Sequence, residues 1–278
     1  MRIVGRSRQA KLISIGAVAM MVASSLYWGA AAMVSAGTCN RLADLADISA
    51  MDELERKQHS KRPCNSQLVS YRKLFIPIGP DGVPGVPITL GDSRTASLDG
   101  APNRGAVRLA AGGTDDHGLY LSISSSRNTG TGYCSDWTFN GYFNWTMNPE
   151  WIVNSGYDFL GVTWAGNQSI AGYGAYGISA NSTAYNFYAD DILGNEGVLW
   201  RFKEYPGVYS NYMRYGYSSN SVRQTSCQGL AGDVRIRYIH TLASLSFSGS
   251  VGAGNPGSIT VTPGTDQWGF AQVANFSY

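Results

Sequence analysis

The sequence predicts an all-β protein, an antiparallel β-sandwich or jelly-roll-like barrel, with a short N-terminal helix after a signal or anchor segment. Three observations carry this expectation. Only 14% of the 278 residues are charged, while Gly numbers 34 and Tyr 17, a mixture suited to strands, turns and uncharged polar surfaces. From Ala106 onward, short apolar runs of period two alternate with Gly/Asn/Ser clusters. No helical pattern separates those runs, which fits a sandwich or closed barrel better than a parallel α/β sheet.

Residues 1–36 come first and read as a secretory signal peptide. Arg2, Arg6, Arg8 and Lys11 precede an uncharged run from Leu12 to Val34, and "VSA" ends at Ala36 before Gly37. The run exceeds the roughly 7–15 residues usual for a signal core, so an uncleaved membrane anchor, touching the bilayer through residues 12–34, is the alternative. Both readings place the body outside the membrane, secreted or at the cell surface. Without that segment the formal charge of +2 becomes 17 basic against 19 acidic groups. Such a body has no grip on phosphate backbones, so no nucleic-acid partner is expected.

Residues 37–78 read as a small helical, disulfide-containing segment. Leu42, Leu45, Ile48, Met51 and Leu54 fall three apart within 41–58, with acids early and Arg56-Lys57 late, as a helix dipole prefers. All four cysteines, Cys39, Cys64, Cys134 and Cys227, follow the leader, and an even count in an exported chain suggests disulfides. Of three connectivities, 39–64 with 134–227 pairs near neighbours. A helix reaching residue 57 would advance the chain about 27 Å, and seven further residues return at most about 24 Å. That pairing therefore predicts a helix ending near Arg56 or earlier.

Residues 79–105 read as a Pro/Gly-rich linker. "GPDGVPGVP" holds three collagen-like triplets, too few for a triple helix, and the loose stretch "GDSRTASLDGAPNRG" follows. The β-sandwich domain is then expected over 106–278. Its predicted strands are "AVRLA", "GLYLSIS", Tyr133–Met147, "YDFLGVTW", "STAYNFY", "GVLWRFKEY", "VYSNYMRYGY", "DVRIRYI", "ASLSFS", "SITVT" and "WGFAQVANF". Val198, Trp200 and Phe202 alternate with Leu199, Arg201 and Lys203. Val234, Ile236 and Tyr238 alternate with Arg235 and Arg237, the pattern of half-buried antiparallel strands. The parity changes after Ile239, which predicts a bulge or turn near His240.

In "YCSDWTFNGYFNWTM", Trp137, Phe139, Phe143 and Trp145 hold odd positions and polar groups most even ones. Asn140-Gly141 signals a hairpin, and a three-residue loop Phe139-Asn140-Gly141 would keep the aromatic and polar faces separate. The odd face is expected to be core, each ring stabilising by about 1.5–3 kcal/mol on burial.

Binding is then sought on tyrosines set among Gly, Ser and Asn: Tyr142, Tyr173, Tyr176, Tyr209, Tyr212, Tyr215 and Tyr217. This is the composition of binding loops, where Tyr offers broad contact and a polar tip at small entropic cost. Catalytic signatures are sparse. "GYGAYG" (Gly172–Gly177) matches G-x-G-x-x-G but precedes no helical pattern, and no C-x-x-C, G-x-S-x-G or H-E-x-x-H occurs. His59, His117 and His240 are the only histidines; His117 or His240 with a serine would make a hydrolase site. Asp115, Asp116, Asp190, Asp191 and Glu196 could offer calcium oxygens but lack EF-hand spacing, so no metal and no cofactor is assigned.

The function expected is that of an exported, non-catalytic binding protein of the β-sandwich type, recognising glycan or a cell-surface ligand through Tyr-rich loops. A membrane-active or envelope-associated β protein is the first alternative and a secreted hydrolase the second.

Overall fold

The structure is a computed structural model, and it describes residues 51–62, 64–79, 84–90, 117–147, 157–165, 168–206, 211–224, 232–241, 248–252, 258–262 and 267–276. The leader, the first helical residues, Cys39, Cys227, "AVRLA" and most of the linker lie outside them. All the described residues belong to one unit, Leu42–Tyr278.

The helix α1 (Glu53–Ser60) begins where a capping box sets it. Asp52 Oδ1 accepts from the Glu55 N–H at 2.9 Å, and Glu55 Oε2 accepts from the Asp52 N–H at 2.8 Å. It runs four residues beyond the predicted end at Arg56, and its last turn closes through the N–H of Lys61 on the Gln58 carbonyl and the N–H of Arg62 on the His59 carbonyl, each at 3.2 Å.

The described strands follow in chain order: β1 (Ser66–Pro77), β2 (Ile88–Leu90), β3 (Gly118–Asn128), β4 (Ser135–Trp145), β5 (Tyr157–Trp164), β6 (Ser169–Ser179) and β7 (Ala184–Asn186). After them come β8 (Tyr188–Leu193), β9 (Gly197–Lys203), β10 (Met213–Gln224), β11 (Gly232–Thr241), β12 (Ser248–Gly252), β13 (Ser258–Thr262) and β14 (Gln267–Phe276). They form a seven-stranded sheet, β2-β1-β3-β4-β10-β6-β7, a five-stranded sheet, β14-β11-β5-β9-β8, and the hairpin β12-β13. Every pairing among the described strands is antiparallel, as the sandwich expectation requires.

The two large sheets face each other across one apolar core. Trp137, Phe139, Phe143 and Trp145 of β4 enter it with Val198, Trp200 and Phe202 of β9 and Val234, Ile236 and Tyr238 of β11. Phe143 joins the layers, its ring 5.1 Å from that of Phe202 and 5.0 Å from that of Tyr238. Both outer faces carry a partial cover. The hairpin β12-β13 puts Val251 and Ile259 over Phe159, Leu199 and Ile239. Asp190 and Asp191, considered for calcium, hold that hairpin: their carboxylates accept from the N–H groups of Gly249 at 2.9 Å and Val251 at 2.7 Å.

Four features differ from expectation. There is no hairpin at Asn140-Gly141, because β4 runs unbroken through it and pairs with β3 and β10 along its length. Gly141 is there for closeness: a Cβ would lie 2.7 Å from Ile236 Cδ1 and 3.0 Å from Val162 Cγ2 of the opposite sheet. No bulge interrupts β11 at His240, since β11 pairs with β14 without a register shift through Thr241; residues 242–247, where the parity changes, lie outside the described residues. The seven-stranded sheet also recruits β1 and β2 from residues ahead of 106, with Gly85 N–H bonded to Pro77 O at 2.7 Å. The fourth is β6, the unpredicted strand into which "GYGAYG" is built. Cys64 and Cys134 are both disulfide-bonded, while the predicted pairing involves Cys39 and Cys227, outside the described residues.

Candidate functional site

The outer face of the seven-stranded sheet carries the polar side chains that alternate with the core. The register places Tyr142 of β4 opposite Tyr217 of β10, and Tyr217 opposite Tyr176 of β6. Their rings make a cross-strand ladder, with centroids 5.0 Å apart for Tyr142–Tyr217 and 5.5 Å for Tyr176–Tyr217. Beside the ladder the same face presents Thr138 and Asn140 of β4 with Ser219 and Ser221 of β10, which pair Asn140–Ser219 and Thr138–Ser221. Tyr217 is oriented by its hydroxyl, which donates to Asn140 Oδ1 at 3.0 Å.

The helix α1 crosses this face and is anchored by a buried carboxylate. Glu55 Oε2 accepts from Tyr71 Oη at 2.8 Å and from Lys73 Nζ at 3.1 Å, and Oε1 accepts from Ser122 Oγ. At the far side Gln58 Nε2 donates to Tyr176 Oη, and Asn144 Nδ2 donates to Asp52 Oδ2 at 3.2 Å. The helix therefore covers one part of the tyrosine ladder and leaves another open. Burial pushes the Tyr142 and Tyr217 phenols upward, for Tyr142 with help from Tyr217; Tyr176 rises through burial and the neighbouring Tyr217.

Between the end of α1 and the sheet lies a groove of about 460 Å³, whose lining includes Gln58, Arg62, Asn65, Asn140, Tyr217 and Arg223. A second hollow of about 570 Å³ shares Tyr217 and Ser219 with it and is lined further by Tyr173, Tyr176, Tyr188 and Trp200. Tyr217 thus stands between an amide- and cation-rich groove and an aromatic one. Arg223 is held in place by Asp136, Nε to Oδ2 at 3.0 Å. A larger hollow of about 940 Å³, lined by Tyr157, Tyr185, Tyr188, Tyr205 and Phe202 among others, includes none of the seven predicted tyrosines.

Of those seven, Tyr173, Tyr176 and Tyr217 line the open hollows. Tyr142 and Tyr215 are only 2% and 1% exposed and stand beneath the surface as support. Tyr212 packs against the main core, and Tyr209 lies outside the described residues. Loop composition drew attention to these tyrosines, yet those that reach the surface do so from strands. Tyr188, 71% exposed on β8, was missed because it ends the predicted strand "STAYNFY" and is followed by Ala189-Asp190-Asp191 rather than by Gly, Ser or Asn.

Of the three histidines, two are buried and one is exposed. His59 is buried in α1, His117 is exposed just ahead of β3, and His240 is wholly buried. His240 Nδ1 lies 3.1 Å from Asp158 Oδ2 and 3.8 Å from Glu204 Oε1, both also buried. Tyr238 Oη donates to Asp158 Oδ2, Thr241 N–H donates to Asp158 Oδ1 at 3.2 Å, and Trp145 Nε1 donates to Tyr238 Oη at 3.3 Å. Burial, then the Asp158 charge, pushes the Glu204 carboxyl well above the usual carboxylate range. This cluster is closed to substrate. Among the described residues no helix is long and apolar enough to cross a membrane.

No protein-family model matches the chain, and no curated protein matches it. Among solved structures, one described as the pH-induced modulation of Streptococcus parasanguinis adhesion by Fap1 fimbriae is 12% identical, covers 56% of this chain and 78% of its own, and has a TM-score of 0.29. Another, described as manganese lipoxygenase of Gaeumannomyces graminis with a partial structure of zonadhesin of Komagataella pastoris, is 7% identical, covers 75% and 81%, and has a TM-score of 0.26. Likenesses this slight carry no inference about what the chain binds.

Proposed function

We propose that the protein is an exported, non-catalytic β-sandwich that binds carbohydrate, secreted or held at the cell surface. The observation that supports this reading is Tyr217, oriented by Asn140 between two adjoining hollows. A sugar ring presents apolar C–H faces and a rim of hydroxyls. It needs an aromatic plane beside amides and hydroxyls that both donate and accept, which Tyr176, Tyr217, Gln58, Asn140 and Ser219 offer together. Because all of these groups except Gln58, which sits on α1, are carried on strands, little ordering entropy opposes capture.

Export is supported by the leader pattern of residues 1–36 and by the bonded state of Cys64 and Cys134, which an oxidising compartment maintains. The exported chain, printed against a glycan array under non-reducing conditions, is expected to retain a defined set of saccharides. Retention of none would overturn the reading.

A further inference from the structure

We propose that Asp158, Glu204 and His240 form a structural zinc site inside the sandwich. Asp158 and His240 lie on the adjacent strands β5 and β11, and Glu204 directly follows β9, the strand on the other side of β5 in the same sheet. Each ends an inward-facing apolar row: Val162-Leu160-Asp158, Val198-Trp200-Phe202-Glu204 and Val234-Ile236-Tyr238-His240. The sheet therefore converges one imidazole and two carboxylates on one point, with all three donor atoms within 4.8 Å of one another.

Glu204 is the observation that calls for a cation. It is 1% exposed, and neither of its carboxyl oxygens has a hydrogen-bond partner, although Oε1 faces His240 Nδ1 across 3.8 Å. A buried carboxyl left in that state costs free energy unless a ligand completes it. A zinc shell at about 2.0–2.2 Å has donor separations of roughly 3.3–3.6 Å. The Asp158–His240 spacing of 3.1 Å is already near that range, and the His240–Glu204 spacing of 3.8 Å and the Asp158–Glu204 spacing, within 4.8 Å, close as the Glu204 side chain moves toward the other two. One imidazole and two carboxylates fall within the zinc ligand set; the fourth tetrahedral position would be taken by a water enclosed with the ion, and burial of all three side chains gives the site a structural role. The outer support is present as well, since Trp145 donates to Tyr238 and Tyr238 to Asp158, fixing the carboxylate that would bind metal. With all three ligands buried, the cation would enter as the chain folds and staple three strands at one end of the core.

The test uses the full exported chain produced in zinc-supplemented medium, purified without chelator, with metal counted by inductively coupled plasma mass spectrometry. About one zinc per chain is expected for the native sequence, and less than about a tenth of that for Glu204→Gln, which keeps the shape and loses a ligand charge. X-ray absorption of the native protein should show one imidazole and oxygen ligands, a result independent of whether the variant is exported. A native chain without zinc, a Glu204→Gln chain with undiminished zinc, or an absorption spectrum lacking the imidazole would each overturn the proposal.

Discussion

Replacing Glu55 by Gln tests how α1 is held on the sheet. Glu55 is 2% exposed and Lys73 5%, so the ion pair at 3.1 Å is buried on both sides. The carboxylate also takes hydrogen bonds from Tyr71, Ser122 and the Asp52 backbone. Glutamine preserves the shape but presents one acceptor and one donor to a ring of donors, and it leaves the Lys73 ammonium with Asp52 Oδ2 at 3.8 Å and the face of the Tyr120 ring, whose centroid lies 4.9 Å away. Removing one partner of a buried pair costs about 3–5 kcal/mol. For a domain this large, that corresponds to a fall in Tm of roughly 6–20 °C. Urea and thermal unfolding followed by tryptophan fluorescence read the change directly. The double variant Glu55→Gln/Lys73→Met should recover most of it, because both charges are then gone. A loss in the single variant below about 1 kcal/mol, the size of an exposed pair, would refute a buried carboxylate anchor.

Two further outcomes follow from the core and from the ladder. Gly216 sits opposite Phe143, and a Cβ there would lie 2.0 Å from Phe143 Cε1; Gly216→Ala should destabilise by about 1–3 kcal/mol or more, and an unchanged urea midpoint would contradict the packing. Tyr71, Tyr142 and Tyr215 have folded pKa values raised above 10.0 by burial first. Their contribution is therefore intact below about pH 10, where the unfolded phenol stays neutral, and is lost as pH climbs beyond it. Absorbance at alkaline pH should show exposed tyrosines ionising smoothly and the buried ones in a late step that coincides with unfolding; a single smooth titration of all tyrosines in the folded state would count against the burial.

The sandwich was legible because apolar runs end at Gly, Asn and Ser clusters: "YDFLGVTW" and "SITVT" coincide with β5 and β13 at both ends. Strand β6 was missed because "SIAGYGAYGIS" is Gly-rich and largely exposed, so it lacks the apolar alternation that marks a strand. Gly141 misled in the opposite direction. Asn-Gly is a turn signal locally, but here the glycine makes room for Ile236 and Val162 from a sheet that no local pattern reveals. The groove could not be foreseen, since it depends on a helix from residues 53–60 lying across strands far along the chain. The buried Asp158, Glu204 and His240 did leave a trace. Each continues an apolar alternation by one more inward step with an ionisable group, and at His240 that step read as a break in the strand.

The most direct measurement titrates a saccharide retained on the array against three forms of the exported chain: native, Tyr217→Ala, and Val86→Ala, whose side chain is 82% exposed and outside the hollows. Loss of the aromatic anchor should weaken binding at least about tenfold, or roughly 1.4 kcal/mol, while Val86→Ala binds as the native chain does. Equal affinity for native and Tyr217→Ala, with the fold of both intact by circular dichroism, would contradict recognition on this face.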